Sequence, residues 1–225
     1  MIKEEWNMNY MKRIKEIILF TIVCFMITSC NSKTSDTIVD QSVTDKNASS
    51  ETQASSTDEP QSRDVFAMDT YMTLTAYGEN AQEAVEAGIA EIQRLDDLLS
   101  TGKDTSEVAQ INANGGGVLS EDTDYLVKRA LDIYQSTNGA FDISIYPVMQ
   151  LWGFTTGNFA VPSESDLAAK LALVDAGKII LSEENGQTSI SLPEGMEIDL
   201  GGIAKGYTSG RVMDVMKSYG IKSAV

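Results

Sequence analysis

Histidine is absent from this sequence of 225 residues. Without it, the chain cannot build a Ser-His-Asp triad, a Cys-His pair or a His-ligated zinc site from its own residues. Cysteine is nearly absent as well. Cys24 and Cys30 are the only two, and both lie near the N-terminus, so the sequence contains no disulfide framework. Chemistry in this chain therefore depends on carboxylates, lysine, hydroxyls, backbone groups or a hard metal ion.

Basic residues are also scarce. The chain has 17 Lys and Arg against 33 Asp and Glu, which gives a formal net charge of −16. Nucleic-acid phosphates are held by clustered Lys and Arg, and no such basic patch is visible in the sequence. The composition therefore argues against a nucleic-acid partner. The length is sufficient for one sizeable domain or for a piece of a larger one.

The long apolar run lies at the N-terminus. Residues 11–30, MKRIKEIILFTIVCFMITSC, have a basic start, a short apolar core and small residues before Cys30. The core is too short for a comfortable membrane span, so residues 1–30 are predicted to be a signal peptide. The small residues before Cys30 resemble a bacterial lipobox. This predicts a lipidated Cys30 at the start of the mature protein, with a cleaved signal that ends there by chance as the alternative.

Residues 31–62 are rich in Ser, Thr, Asp and Gln and contain almost no large apolar side chains. Such a segment cannot bury enough surface to fold, so it is predicted to be a disordered linker. The folded part is then residues 63–225. A lipid anchor followed by a tether predicts a membrane-attached domain on the extracytoplasmic face of a bacterial cell.

Hydrophobic periodicity predicts alternating strands and helices in the folded part. The expected elements of its first half are a strand over 65–78, a helix over 81–99 capped by Asn80, a helical turn over 106–112, a flexible glycine break at 115–117, and a helix capped by Ser120 with Gly139 at its C′ position.

The second half is predicted to begin with an irregular buried segment over 140–154. The elements after it are a short helix within 163–175, a hairpin over 178–192 turning at Asn185-Gly186, a strand at 196–200, a helix over 203–219, and the beginning of a strand at 221–225. Because the chain ends as this strand starts, we expect the sequence to be a truncated piece of a longer domain.

Residues 197–210, EIDLGGIAKGYTSG, carry the main chemical signal. They predict a strand ending near Asp199, a tight turn at Gly201-Gly202 and a helix from Ile203. Free N–H groups and the helix dipole favour an anion at such a helix start, and Lys205 adds positive charge. The pattern is neither a Walker loop nor G-x-G-x-x-G. On the residues alone, a purely connecting glycine turn with a solvated lysine remains the alternative.

DLGGIAKG at residues 199–206 resembles the D-x-G-x-x-x-K-G signature of the ApbE family of FAD:protein FMN transferases. Three further stretches resemble motifs of that family in the same order: AMDTYMTL, LDDLLSTGKDTSEVAQIN and NGAFDISIYPVMQLWGF. The resemblance extends from about residue 65 to residue 225. It implies an α/β fold of mixed sheets packed against helices, two-lobed and incomplete at the C-terminus, with FAD between the lobes.

The resemblance implies a reaction as well. Similar proteins bind FAD and Mg²⁺, move FMN onto a Ser or Thr hydroxyl of a target protein and release AMP. Their targets are flavin-carrying subunits of membrane redox complexes. Two alternatives are a FAD-hydrolysing relative and a lipid-anchored flavin-binding protein without turnover. A generic adhesion or structural domain is a third alternative, which the ordered run of motifs disfavours.

The motif match assigns roles to seven residues. The resemblance implies FAD contacts for Met68, Ala140, Phe141, Asp142, Asp199 and Lys205, and a Mg²⁺-ligating carbonyl for Gly202. Core packing of Met68 and Phe141, and a local turn cap by Asp142, are the competing interpretations. No catalytic residue is assigned, and the remaining metal ligands are expected beyond Val225.

The sequence departs from the family pattern at two positions. Gly102 stands where many members carry a Tyr near the cofactor, so a stacking contact is either missing or supplied elsewhere. Asp69 replaces the usual Gly after Met68, so a different local conformation of that strand is expected.

Overall fold

The computed structural model describes residues 59–225. The predicted signal peptide, the lipidated Cys30 and most of the predicted linker lie outside these residues. Among the helices of the described part, none is both long and apolar enough to cross a membrane.

Residues 59–225 form six α-helices and two three-stranded antiparallel sheets, which confirms the mixed α/β class. The elements are β1 Gln61–Ala67, β2 Thr70–Tyr77, α1 Ala81–Leu99, α2 Glu107–Asn114, β3 Gly116–Val118, α3 Glu121–Ser136, a 3-10 turn Ile143–Ile145, α4 Tyr146–Leu151, α5 Glu164–Leu171, a 3-10 turn Ala176–Lys178, β4 Ile180–Glu184, β5 Gln187–Ser191, α6 Gly201–Ser218 and β6 Ser223–Ala224.

The first sheet has the order β1-β2-β6, and it corrects the prediction of one strand over 65–78. Met68 and Asp69 have φ values of 52° and 54°, so the chain reverses in a two-residue turn. The two strands then pair from Ala67 opposite Thr70 back to Gln61 opposite Ala76. The turn was missed because Met and Asp are not the Asn-Gly type of pair that usually marks such a reversal. The strand predicted at the end of the chain is confirmed as β6.

The second sheet has the order β3-β5-β4. The predicted hairpin is confirmed, with Asn185 and Gly186 at φ 52° and 78° in its turn. The predicted glycine break at 115–117 is wrong, because Gly116–Val118 pairs with β5 as a strand. A Cβ on Gly116 would lie 2.4 Å from the Ile190 carbonyl oxygen, so this close strand contact needs glycine.

Helix ends follow local chemistry in some places and tertiary contacts in others. Ser120 caps α3 as predicted, accepting the Thr123 N–H at 3.5 Å. Asn80 does not cap α1 with its side chain; its Nδ2 donates to the Tyr219 carbonyl at 3.3 Å. At the end of α3 the left-handed C′ position belongs to Asn138, one residue before the predicted Gly139.

Two hydrophobic clusters lie in the described part, and α1 and α6 each contribute to both. In the first cluster the last turns of α1 pack with α2, α3 and β5, and in the second cluster the first half of α1 packs with the first sheet. A Cβ on Gly88 would lie 2.9 Å from Leu74 Cδ2 and 3.3 Å from Val212 Cγ1, so glycine lets α1 pass closely over β2 and α6. The C-terminal end of α1 and the N-terminal end of α6 therefore reach the same side of the domain.

Candidate functional site

A cleft of about 1080 Å³ lies where these two helix ends meet. Its walls include the β1–β2 turn, the end of α1 with loop 100–103, the segment 139–145 and the first turns of α6. The structure brings all seven residues with sequence-assigned site roles to this cleft: Met68, Ala140, Phe141, Asp142, Asp199, Gly202 and Lys205.

The start of α6 forms the polar end of the cleft. The helix begins at Gly201, two residues earlier than predicted, so both glycines lie in its first turn. Asp199 accepts the Gly201 N–H through Oδ1 at 2.8 Å, and its Oδ2 accepts the Thr101 hydroxyl at 3.4 Å. The N–H of Gly202 makes no hydrogen bond to another described residue. A free helix N-terminal donor of this kind favours an anion.

Lys205 extends the same positive surface. It is exposed, lines the cleft and lies one helical turn after Gly201. Within residues 59–225, no carboxylate lies within ion-pair distance of its ammonium group. Its charge is therefore available to a ligand, and this end of the cleft suits a phosphate.

Asn112 determines where Asp199 lies. Its Nδ2 donates to the Ile198 carbonyl at 2.8 Å, and its Oδ1 accepts the Ile198 N–H at 2.8 Å. Asp199 itself donates its N–H to the Ile143 carbonyl at 2.8 Å. The predicted strand at 196–200 is wrong, because these side-chain and loop contacts replace a strand ladder. Asn112 was missed; the available signal was an amide four residues after the buried Val108, on the apolar face of α2.

The segment 140–142 forms another wall. Ala140 is exposed, and Phe141 is half-buried against the first cluster. A Cβ on Gly202 would lie 3.0 Å from Phe141 Cε2, so glycine at this position lets the ring approach the helix start. Asp142 accepts the Ser144 N–H at 2.8 Å and hydroxyl at 2.6 Å, and the Ala176 N–H at 3.2 Å. Its carboxylate therefore serves as a local cap within the cleft wall.

Met68 stands at the tip of the β1–β2 hairpin. Its backbone N–H donates to Asp96 Oδ1 at 2.8 Å, and its Sδ accepts the Thr208 hydroxyl at 3.5 Å. The side chain is half-buried against the first cluster, as a core methionine would be, and it also lines the cleft. Asp69 follows as an exposed residue of the cleft wall.

Loop 100–103 connects the end of α1 to the cleft. Gly102 is exposed, and the nearest heavy atom to a Cβ placed there would be Ser100 Oγ at 3.8 Å. The position therefore has room for a larger side chain. Lys103 donates to Asp96 and, at 2.6 Å, to Asp97. The hydrogen bond to Asp96, and to a smaller extent the one to Asp97, raises the pKa of Lys103 above its ordinary value.

A magnesium site would need several hard oxygen ligands close together. No group of three or more acidic, His or Cys side chains within residues 59–225 is placed to hold a metal ion. The Gly202 carbonyl lies in the first turn of α6, where it faces the N–H of Gly206 along the helix. One lone pair of that carbonyl remains, but a single carbonyl does not make a site for a hard cation. The part of the chain described here therefore does not form a magnesium site alone.

Comparison with known proteins gives one family. A sequence model described as the ApbE family matches residues 68–225. The FAD:protein FMN transferase of Klebsiella pneumoniae (strain 342) is 33% identical over 137 residues, which cover 60% of this chain and 43% of that protein. The FAD:protein FMN transferase of Treponema pallidum (strain Nichols) is 26% identical over 178 residues, 73% of this chain and 48% of that protein. The chain spans about half the length of these curated relatives.

Solved structures similar to this chain are also ApbE proteins. The crystal structure of the ApbE protein from Thermotoga maritima has a TM-score of 0.68 and 27% identity, covering 74% of this chain and 55% of that one. The flavin transferase ApbE from Vibrio cholerae has a TM-score of 0.63 and 26% identity, covering 74% of this chain and 56% of that one. Because the family match covers well over half of the chain and includes every wall of the cleft, the chain belongs to the ApbE family.

Proposed function

We propose that this chain holds FAD in the cleft and that the protein transfers the FMN half of FAD to a Ser or Thr hydroxyl of a target protein. The hydroxyl oxygen attacks the phosphorus of the FMN half, the anhydride bond breaks, and AMP leaves. The departing AMP keeps the bridging oxygen of the anhydride, and the hydroxyl proton is released to water. The observation that carries the proposal is the meeting of seven family-motif residues, distant in sequence, around one cleft.

The residues divide the work of binding. The N–H of Gly202 and the ammonium of Lys205 form the positive end of the cleft, which suits the pyrophosphate. Phe141 and Met68 offer apolar surface to the flavin or the adenine. Asp199 caps the helix through one oxygen and presents its carboxylate to a ligand hydroxyl or ring N–H. Ala140 and Asp142 shape the wall between them.

Magnesium is proposed as the cation of the reaction, with the Gly202 carbonyl as one contributor. A hard cation neutralises phosphate charge during such a transfer. No step is assigned to it, since the described residues supply no acidic cluster for it.

We further propose that lipidation of Cys30 attaches the protein to the extracytoplasmic face of the cell membrane. The targets are then flavin-acceptor subunits of membrane redox complexes. The lipobox-like residues before Cys30 and the polar segment after it support this arrangement. The strong acidic excess argues against nucleic acid as a partner.

FAD binding to the purified chain tests the proposal. Flavin fluorescence titrations with and without Mg²⁺ are compared for the unsubstituted chain, Asp199→Ala and Lys205→Ala. Each substitution is expected to raise the Kd by about tenfold or more, because each removes a charged contact in a partly enclosed cleft. Lys217→Ala, at the exposed far end of α6, is the matched control and is expected to leave the Kd unchanged.

Two outcomes would overturn the assignment. A folded chain that does not bind FAD would remove the cleft as a FAD site in this chain. Equal weakening by Lys205→Ala and Lys217→Ala would show that only overall charge matters. Both transfer and hydrolysis release AMP, so the fate of FMN separates them: transfer leaves FMN covalently attached to an acceptor peptide, whereas hydrolysis leaves free FMN.

A further inference from the structure

One carboxylate connects two walls of the cleft. Asp96 lies near the end of α1, and its side chain is 19% exposed. Its Oδ1 accepts the backbone N–H of Met68 at 2.8 Å, and its Oδ2 accepts the ammonium of Lys103. The hairpin tip and loop 100–103 therefore share a single anchor.

The hairpin tip needs such an anchor. Met68 and Asp69 both carry side chains and both lie in the left-handed region, at φ 52° and 54°. This region is unfavourable for Met and more strained for Asp than for Gly, so the turn depends on contacts outside its own strands. Its described contacts to the rest of the fold are the bond to Asp96, the Met68 sulfur contact to Thr208 and packing against the first cluster.

The second wall depends on the same carboxylate in a different way. Lys103 is held by Asp96 and by Asp97, whose side chain is 72% exposed. An exposed partner contributes little, because water and salt screen it. Asp96 is the better-buried partner, and it is hydrogen-bonded on both oxygens.

We propose that Asp96 is a positioning residue that holds the Met68 turn and the Lys103 loop at a set separation across the cleft. Through this separation it determines how tightly the cleft holds a flavin nucleotide. The inference rests on the proposed FAD site, and it adds a residue to which the sequence motifs assigned no role.

Titration with FAD tests it in three variants of the full chain. Asp96→Ala removes the anchor and is expected to raise the Kd by about tenfold. Asp96→Asn keeps an oxygen for the Met68 N–H and is expected to restore most of this loss, to within about threefold of the unsubstituted chain. Asp97→Asn is the matched control on the same helix turn and is expected to leave the Kd unchanged.

A second substitution shows whether Asp96 acts through the turn. Asp69→Gly relaxes the left-handed position, so the turn then needs less external support. In this background the penalty of Asp96→Ala is expected to fall to about threefold or less. An equal penalty in both backgrounds would overturn the inference, because Asp96 would then act independently of the turn.

Hydrogen exchange gives a readout without ligand. The peptide around residues 66–72 is expected to exchange faster in Asp96→Ala than in Asp97→Asn. If Asp96→Ala folds and exchanges as slowly as Asp97→Asn, or binds FAD as tightly as the unsubstituted chain, the positioning role is rejected. The proposed function is not rejected by either result. If Asp96→Ala does not fold, Asp96→Asn decides through Lys103, because its amide keeps only one acceptor oxygen: faster exchange around residues 100–106 than in Asp97→Asn supports the role, and equal exchange rejects it. Absence of FAD binding by the unsubstituted chain would reject the proposed function, and this inference with it.

Discussion

Asn112 supplies Ile198 with the hydrogen bonds that a neighbouring strand would provide. Both bonds measure 2.8 Å, one to the carbonyl and one to the N–H. Ile198 is fully buried, so neither backbone group can turn to water instead. The side chain thus holds the residue directly before Asp199 in place outside any sheet.

Substitution of Asn112 by Ala is expected to lower the free energy of unfolding by about 2 to 4 kcal/mol, because two buried backbone groups lose their partners. FAD affinity should fall as well, since Asp199 is displaced. Urea denaturation measures the first effect. Asn114→Ala is the control, because its amide bonds only the Gln110 carbonyl of its own helix. Equal effects of the two substitutions would contradict the role given to Asn112.

At the scale of elements, a polar network connects α1, α3 and α6. Arg94 donates to both oxygens of Glu91 at 2.8 Å and to Asp122 at 2.8 Å. Arg211 reaches Glu91 at 3.3 Å, and the Tyr207 hydroxyl donates to Asp122. Glu91 and Asp122 are only 11% and 15% exposed, so these pairs are less screened than those at the surface.

The pKa values of both carboxylates are lowered. Hydrogen bonding from Arg94 is the main reason that the pKa of Glu91 lies below its ordinary 4.5. Burial raises the pKa of Asp122, but hydrogen bonds from Tyr207 and Arg94 outweigh it and hold the value below 3.8. Burial, together with Asp122, raises the pKa of Tyr207 to about 12, so its hydroxyl remains a donor at neutral pH.

These lowered pKa values predict a pH dependence. A carboxylate with a lowered pKa in the folded state stabilises the fold above its unfolded pKa, and this stabilisation is lost as the pH falls through the folded pKa. Stability should therefore decline as the pH drops below 4.5. Arg94→Met should cost about 2 kcal/mol at neutral pH, because two nearby carboxylates lose their shared cation, and less as the pH falls through their lowered pKa values and both become protonated.

Chemical denaturation at several pH values measures this difference. Lys217→Met serves as the control, because its pair with Asp214 is exposed on both sides. A constant cost of Arg94→Met across the pH range would show that packing of the arginine stem, rather than its charge, stabilises the helix contact.

At the scale of the whole molecule, α1 and α6 join the two hydrophobic clusters. Ile92 of α1 lies in the cluster under the first sheet, and Leu95, three residues later, lies in the other cluster. In α6, Ala204 and Val212 divide in the same way. Neither cluster can lose its packing without disturbing these two helices.

We therefore expect residues 59–225 to unfold in one cooperative transition. Ile92→Ala and Leu126→Ala, one in each cluster, should each lower stability by about 2 to 5 kcal/mol and shift the whole transition. The unfolding transitions followed by far-UV circular dichroism and by Trp152 fluorescence should coincide in both variants. The fluorescence is measured in a Trp6→Phe background, so that it reports on Trp152 alone. Separate transitions in either variant would indicate two independent folding units.

Much of the architecture and most of the candidate site were predictable from the sequence because their signals are local. Apolar periodicity predicted α1 and α6, Asn185-Gly186 predicted the second hairpin, and Ser120 predicted a helix start. The seven candidate residues were predicted from motif resemblance, and the structure brings them to one cleft. Their individual roles in FAD and Mg²⁺ binding stay predictions.

The sequence by itself determined which kinds of site and partner its composition argues against, which faces of the helices are apolar, and which residue types lie at the cleft. Only the tertiary structure decided the reversal at Met68, the strand at Gly116 and the anchoring roles of Asp96 and Asn112. Each of these depends on a partner far along the chain: Asp96 is 28 residues from Met68, and Asn112 is 86 residues from Ile198. A hydrogen bond to such a partner leaves no periodic trace in either segment, because it forms only after the elements between them have packed.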